Sequence, residues 1–386
     1  MSVDRKRDTR AKPGSRPLRC RALLAIWSIS GAAFAAVDVA VEERMDESRA
    51  APTPVAKASS WVIVPIPVSN PTVGTGLQVT VLYLHAKKAG EEESPGATSG
   101  LGVMATESGS RLVGAFHDAS FAKDRFRLSA YFGLGQLNLK YYGGDQAFLL
   151  GGHSLRYRLN GAVGQVRGEV RVPGSVHWFA GLTYLLMESS VTFKTSDLLP
   201  GVPDLSGDFR SAGMGPHVSY DSRDSNFFPV QGQQFRARWL NYAPRWGSDF
   251  SYDKVDVFYN HYTPVAPRAV VALRTRLQSA SDGTPFFDLP YLDMRGFARD
   301  RYQSRNTLSV SADWRYMFAP RWGVAAFAEV GRFAPTLKAL SDGRTITSYG
   351  GGVRWKATAE RELNLGLDFA ISTDDKAVFI QIGERF

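Results

Sequence analysis

Charged side chains recur through this sequence at positions that a sheet would turn to one side. Arg236, Arg238, Arg274, Arg276, Arg354 and Arg385 lie in stretches that alternate apolar and polar residues, as do Asp221, Asp313, Glu329, Glu362 and Asp368. On the inner wall of a closed sheet they would line a basic, partly neutralised lumen. Such a lumen can select anions in a pore. More often, charges of this kind simply fill and brace the interior. Catalytic chemistry has less to stand on. The six histidines (His85, His117, His153, His177, His217 and His261) include no local pair with ligand spacing, so no metal is expected. There is no Gly-x-Ser-x-Gly elbow and no phosphate loop. A barrel phospholipase or lipid deacylase would need a Ser/His pair on the outer face near the membrane rim. Gly152-His153-Ser154 is the nearest local candidate, but adjacent residues of a strand point to opposite faces. The chain is therefore expected to have no catalytic centre and no cofactor.

The elements that must position these charges are long strands. From Trp61 onward the main signal is a period of two. Leu363, Leu365, Leu367, Phe369 and Ile371 share one face, against Glu362, Asn364, Gly366, Asp368 and Ala370. Leu308, Val310, Ala312, Trp314, Tyr316 and Phe318 oppose Ser309, Ser311, Asp313, Arg315 and Met317 in the same way. Alternation alone fits any half-buried strand. Runs of roughly 10–20 residues, charges on the polar face and aromatics near run ends favour a membrane barrel over a soluble sandwich. Sixteen runs fit between 61 and 386, predicting an all-β fold, a 16-stranded antiparallel transmembrane β-barrel. The longer loops (140–151, 196–208, 283–304, 335–345) then fall at one end. The other end has short turns around Pro173, Pro264 and Pro320, with 87–96 and 222–230 as exceptions. Pro65 and Pro67 lie in the first run and cannot donate to a ladder, so the seam between 61–69 and 376–386 should be the weakest pairing.

The first residues read as targeting. A basic stretch ends at Arg21, a short apolar core follows, and Ala33-Phe34-Ala35 fits a cleavage site. We expect a signal peptide over 1–35, a disordered leader over 36–60 and the barrel over 61–386. Eight of the 46 Lys and Arg and two of the 37 acids lie in residues 1–36, leaving +3 of the formal +9 for the remainder. That removes the case for a nucleic-acid partner. The single cysteine, Cys20, lies in the same segment, so the rest of the chain has no thiol, as suits an oxidising periplasm.

Four motifs carry a resemblance. Tyr220-Asp-Ser-Arg-Asp-Ser-Asn-Phe-Phe-Pro-Val-Gln-Gly232 contains an Asp-x-Arg-Asp…Pro-x-x-Gly turn through Asp221, Arg223, Asp224, Pro229 and Gly232. Met294-Arg295-Gly296-Phe297 forms an Arg-Gly-Phe tip, and Phe327-Ala-Glu329-Val-Gly331 a Phe-x-acid-x-Gly strand. The chain ends Phe379-Ile380-Gln-Ile382-Gly-Glu-Arg-Phe386. In this order they resemble the superfamily of barrel-assembly and surface-antigen outer-membrane proteins, which includes BamA, TamA and the two-partner secretion transporters. The resemblance is best over 213–386. It implies that the loop bearing Arg295 folds into the lumen to meet Glu329, and with it Asp313. It also implies that Ile380, Ile382 and Phe386 form a C-terminal insertion signal read by the barrel assembly machinery. The sequence leaves no room for the family's periplasmic transport-associated domains, which puts insertion or secretion in doubt as the activity. The expected protein is a bacterial outer-membrane barrel that contacts outer-membrane lipid and periplasmic proteins and aids assembly or translocation. A loop-plugged pore for small anionic solutes is the alternative, and an outer-membrane lipid hydrolase stands last.

Overall fold

The computed structural model describes residues 60–86, 96–143, 153–197, 202–225, 228–358, 363–373 and 375–386. The expected signal peptide, the leader up to residue 59 and Glu362 lie outside them. Sixteen strands follow one another around a single wall, each antiparallel to its neighbour. They are β1 (Ser60–Asn70), β2 (Gly74–Leu84), β3 (Thr98–Thr106), β4 (Arg111–Phe121), β5 (Phe126–Tyr141), β6 (Leu155–Arg171), β7 (Trp178–Phe193) and β8 (Leu205–Asp221). The second half comprises β9 (Gly232–Tyr242), β10 (Tyr252–Ala266), β11 (Ala269–Ala280), β12 (Asn306–Tyr316), β13 (Trp322–Ala334), β14 (Arg344–Thr358), β15 (Leu363–Ser372) and β16 (Lys376–Ile382). β16 returns to β1 and closes the barrel, as the alternation predicts.

The period of two is what makes the wall. In β15, Leu367 and Phe369 stand exposed outside while Asn364, Asp368 and Ala370 are fully buried inside. In β12, Val310, Trp314 and Tyr316 face out, and Ser309, Ser311, Asp313 and Arg315 face in. An apolar outer face with a polar inner one is the pattern a bilayer selects. The segments 70–73 and 281–305 mark the loop end of the barrel, and 122–125 and 222–231 the turn end. The wall is uneven in height. β5–β8 have 16 or 17 residues each, and β16 has seven. A tilted strand needs about 9–11 residues to cross a bilayer, so the wall is lowest at its closure.

The interior corrects one expectation. It is not polar throughout. Toward the loop end of β5–β10, Leu137, Leu139, Leu159, Leu185, Met187 and Leu240 turn inward with Tyr157, Phe193, Tyr242 and Tyr252. Phe286 and Phe287, from the segment between β11 and β12, drop into this layer and pack edge-on to Tyr141 and Phe250. β5–β7 carry apolar residues on both faces here, so the alternation that marks a wet lumen is blurred.

Candidate functional site

Segment 281–305 leaves β11, turns into the lumen and returns to β12. It braces itself, with Tyr291 bridging to Gln303 and the Leu292 N–H donating to the Tyr302 carbonyl. Its apex carries Arg295, which is 1% exposed. The Arg295 backbone N–H donates to Glu329 Oε2 at 2.6 Å, and its Nε to Glu329 Oε1 at 3.2 Å. The guanidinium also reaches Asp313 Oδ1 at 2.5 Å and Asp368 Oδ2 at 3.2 Å, and lies 3.4 Å over the Phe327 ring. Three strands thus supply three carboxylates to one cation, and a planar fork is the group that can bond all of them. Gly296 follows at φ +101°, a left-handed conformation that a side chain strains. A Cβ there would stand 2.9 Å from the Ser372 Cβ. Phe297 packs edge-on against Tyr302, 4.7 Å between ring centres.

The ion pairs spread outward from Arg295. Asp368 is shared with Arg354, which also bonds Glu384. Asp293 binds Arg274, Arg276 and Arg385, and Arg276 binds Asp256. Burial alone would raise the Asp293 carboxyl, yet Arg385, Arg274 and Arg276 hold it well below the usual carboxylate range. One network therefore ties β10–β15, the lumen segment and the C-terminal residues together. Removing one partner from such a buried set costs about 3–5 kcal/mol, because the remaining charges stay buried.

The turn motif and the C-terminus are built differently from each other. Asp221 holds Arg223 at 2.8 Å, and Asp224 Oδ1 accepts from the Val230 and Gln231 amides. Pro229 is buried, and Gly232 opens β9, so these residues shape the β8–β9 turn. At the end of the chain the alternation stops. Gly383 sits at φ +75°, and Glu384 and Phe386 turn into the lumen. Phe386 packs with Tyr262 and Ala272 beneath Arg274, so it does not share the face of Ile380 that continued alternation would give it.

This departure leaves the seam thin. β1 pairs with β2 at eleven positions and β15 with β16 at seven, but among the described residues the β1–β16 ladder has the single pair Ser69–Ile380, with the Ser69 hydroxyl also donating to the Val378 carbonyl. The β1–β2 ladder runs unbroken past Pro65 and Pro67, which have no N–H to give it. Its hydrogen bonds must come from the even-numbered residues of β1, and the proline nitrogens face the seam. Trp61 and Ile63 stand 70% and 68% exposed on the outer face beside it.

The structure brings Arg295, Glu329 and Asp313 into direct contact and keeps the turn motif apart at the other end of the barrel. Sequence reasoning turned Asp368, Arg354 and Arg385 inward but did not join them to Arg295, and it missed Asp293 and Glu384. Alternation gave Asp368 the inward parity of β15 but not its partner. It could not have found Asp293, which lies in no strand.

Comparisons with known proteins agree with this architecture. The Omp85 superfamily domain matches residues 200–386. No curated protein matches the chain. Among solved structures, BamA from Haemophilus ducreyi lacking POTRA domains 1–3 superposes with a TM-score of 0.56 at 15% identity, covering 84% of this chain and 69% of that one. CdiB from Acinetobacter baumannii gives 0.55 at 12%, and CdiB from Escherichia coli 0.57 at 13%. Each again covers 84% of this chain, but only 59% and 62% of the CdiB chains. At these identities the likeness is one of fold. Residues 200–386 match the Omp85 superfamily domain, and they form the second half of a closed sixteen-strand antiparallel β-barrel.

Proposed function

We propose that this barrel resides in the bacterial outer membrane and aids membrane assembly or translocation by parting at the β1–β16 seam. The single ladder pair across that seam carries the reading. The shortness of β16 and the inward turn at Gly383 support it, since little ladder must break for the wall to part there. The network around Arg295 holds the lumen segment and the strands beside the seam as one body. Its partners are outer-membrane lipid and periplasmic proteins. Ile380, Ile382 and Phe386 serve as the insertion signal, read by the barrel assembly machinery before Phe386 docks in the lumen. The test is to place Ser69→Cys and Ile380→Cys together, the two residues that pair across the seam. In cells lacking the wild-type gene, the oxidised variant should fail to restore outer-membrane protein or lipid content, and reduction should rescue it. Full function with the disulfide formed would end the seam reading.

A second reading, a narrow path for small anions, rests on Arg315. It is fully buried in the lumen, over Phe228 and Tyr262, and its guanidinium nitrogens have no hydrogen-bond partner among the described residues. Anion-selective conductance in planar bilayers that is lost with Arg315→Ala would favour it over the seam.

A further inference from the structure

Strand pairing gathers three residues that the sequence keeps apart. Ser99 on β3 pairs across the ladder with His117 on β4 and with Tyr83 on β2, which brings His85, just beyond β2, alongside. The Ser99 Oγ lies 2.9 Å from His85 Nε2 and 2.9 Å from His117 Nδ1. The two imidazoles meet edge-on, 5.6 Å between centres, and His85 packs edge-on against Tyr83, which in turn touches Trp61. All three face outward. Ser99 has the parity of exposed Leu101 and Val103, His117 that of exposed Val113, and His85 that of exposed Leu77. The trio sits at the turn-end rim of the wall, where Trp61 and Tyr83 mark the level of a bilayer interface.

A serine hydroxyl has one proton and can donate to one ring only. One imidazole must therefore accept that proton while the other donates its own N–H to Oγ. That gives a nucleophile already bonded to a base, with a second donor beside it, the central elements of acyl transfer. Burial, and after it the neighbouring His117 ring, lowers His85 from its ordinary value. We take His85 as the donor and His117 Nδ1 as the acceptor.

We propose that Ser99, His117 and His85 form a membrane-facing esterase site that cleaves an acyl ester of a glycerophospholipid in the adjoining leaflet. Ser99 Oγ attacks the ester carbonyl and passes its proton to His117. The His85 Nε2–H turns from Oγ to the oxyanion that develops on the carbonyl oxygen. The carbon–oxygen bond to glycerol breaks, and His117 protonates the departing alcohol. Water then attacks the acyl-serine, giving one proton to His117, which returns it to Ser99 as the fatty acid leaves. Leu101, Val103 and Val113 continue along the outer face from Ser99 and offer the acyl chain an apolar track. The lipid matches the surroundings, because the serine shares the face of the apolar outer-wall residues Leu101 and Val103. This departs from the expectation of a wall without catalytic chemistry. It requires the outer wall to face lipid but does not depend on the seam, so failure of the Ser69–Ile380 lock would leave it standing.

The test uses the purified full-length barrel in vesicles of phosphatidylethanolamine and phosphatidylglycerol. A fluorophosphonate probe should label one residue, located at Ser99 by mass spectrometry, and fatty acid should accumulate in the vesicles. Ser99→Ala should lose both while keeping the gel shift of a folded barrel. His117→Ala should slow release by about 10²–10⁴-fold, as expected for loss of a general base. His85→Ala should cost about 10²–10³-fold, and His85→Gln, which retains an N–H, should recover much of it. Absence of labelling and of release in the folded wild type would overturn the proposal. So would release that persists in Ser99→Ala, which would trace it to a contaminant.

Discussion

At the residue scale, the lumen is governed by charges that cannot be left alone. Arg295 answers Asp313, Glu329 and Asp368, so Arg295→Ala would remove the main partner of Asp313 and Glu329 in a buried site, while Asp368 keeps Arg354. The expected loss is about 3–5 kcal/mol, read as a lower temperature for the gel shift from folded to unfolded barrel. Adding Glu329→Ala to that variant should cost less than the sum of the two single changes, because the residues share one network. Asp300, in the same lumen segment, behaves oppositely. It is 3% exposed, and burial, opposed by Arg299, pushes its carboxyl up to about 7. A folded value above the unfolded 3.8 means that its favourable contribution is complete below about pH 4 and lost as pH rises through 7. The difference amounts to a few kcal/mol. Limited proteolysis should cut segment 281–305 faster at pH 8 than at pH 5, and Asp300→Asn should flatten that dependence.

At the element scale, β1 and β16 are the unusual strands. If the proline nitrogens face the seam, so do the N–H groups of Trp61 and Ile63, while those of Val62, Val64 and Ile66 bond β2. Hydrogen exchange along β1 should therefore alternate, fast at Trp61 and Ile63 and slow at the even positions. Uniform protection would show a seam more fully paired than the single ladder pair at Ser69. The prolines also blunt an edge that would otherwise invite another strand. Gly383→Ala forces a side chain into a left-handed backbone at a cost of about 1–2 kcal/mol. That should loosen the docking of Glu384 and Phe386, and the C-terminus should become open to carboxypeptidase.

At the scale of the whole molecule, the barrel is closed by its contents. Sixteen strands would enclose an aqueous channel, but segment 281–305 fills this one with an ionic half and an apolar half. Wild-type protein in planar bilayers should show little sustained conductance. Deleting residues 283–304 should open large, steady channels, since both the Arg295 network and the Phe286–Phe287 plug leave together. A deletion variant that stays closed would mean that the wall itself collapses inward.

The sequence alone determined the wall. A period of two over some sixteen runs needs no long-range information, because each strand must show lipid to one face and lumen to the other. Alternation was therefore enough to turn Asp313, Glu329 and Asp368 inward before any contact was known. It failed where its premise failed. β5–β7 are apolar on both faces, so their inner layer looked like nothing in particular, and Phe386 left the pattern at a glycine that reverses the backbone. Only the tertiary structure decided which inward charges meet, because Arg295 reaches its carboxylates from a segment with no periodicity. The same holds for His85, Ser99 and His117, which lie 14 and 18 residues apart and touch only because two hairpins fix their register. Parity along a strand is a local property, while adjacency across strands is set by how loop lengths and pairing place one strand beside the next.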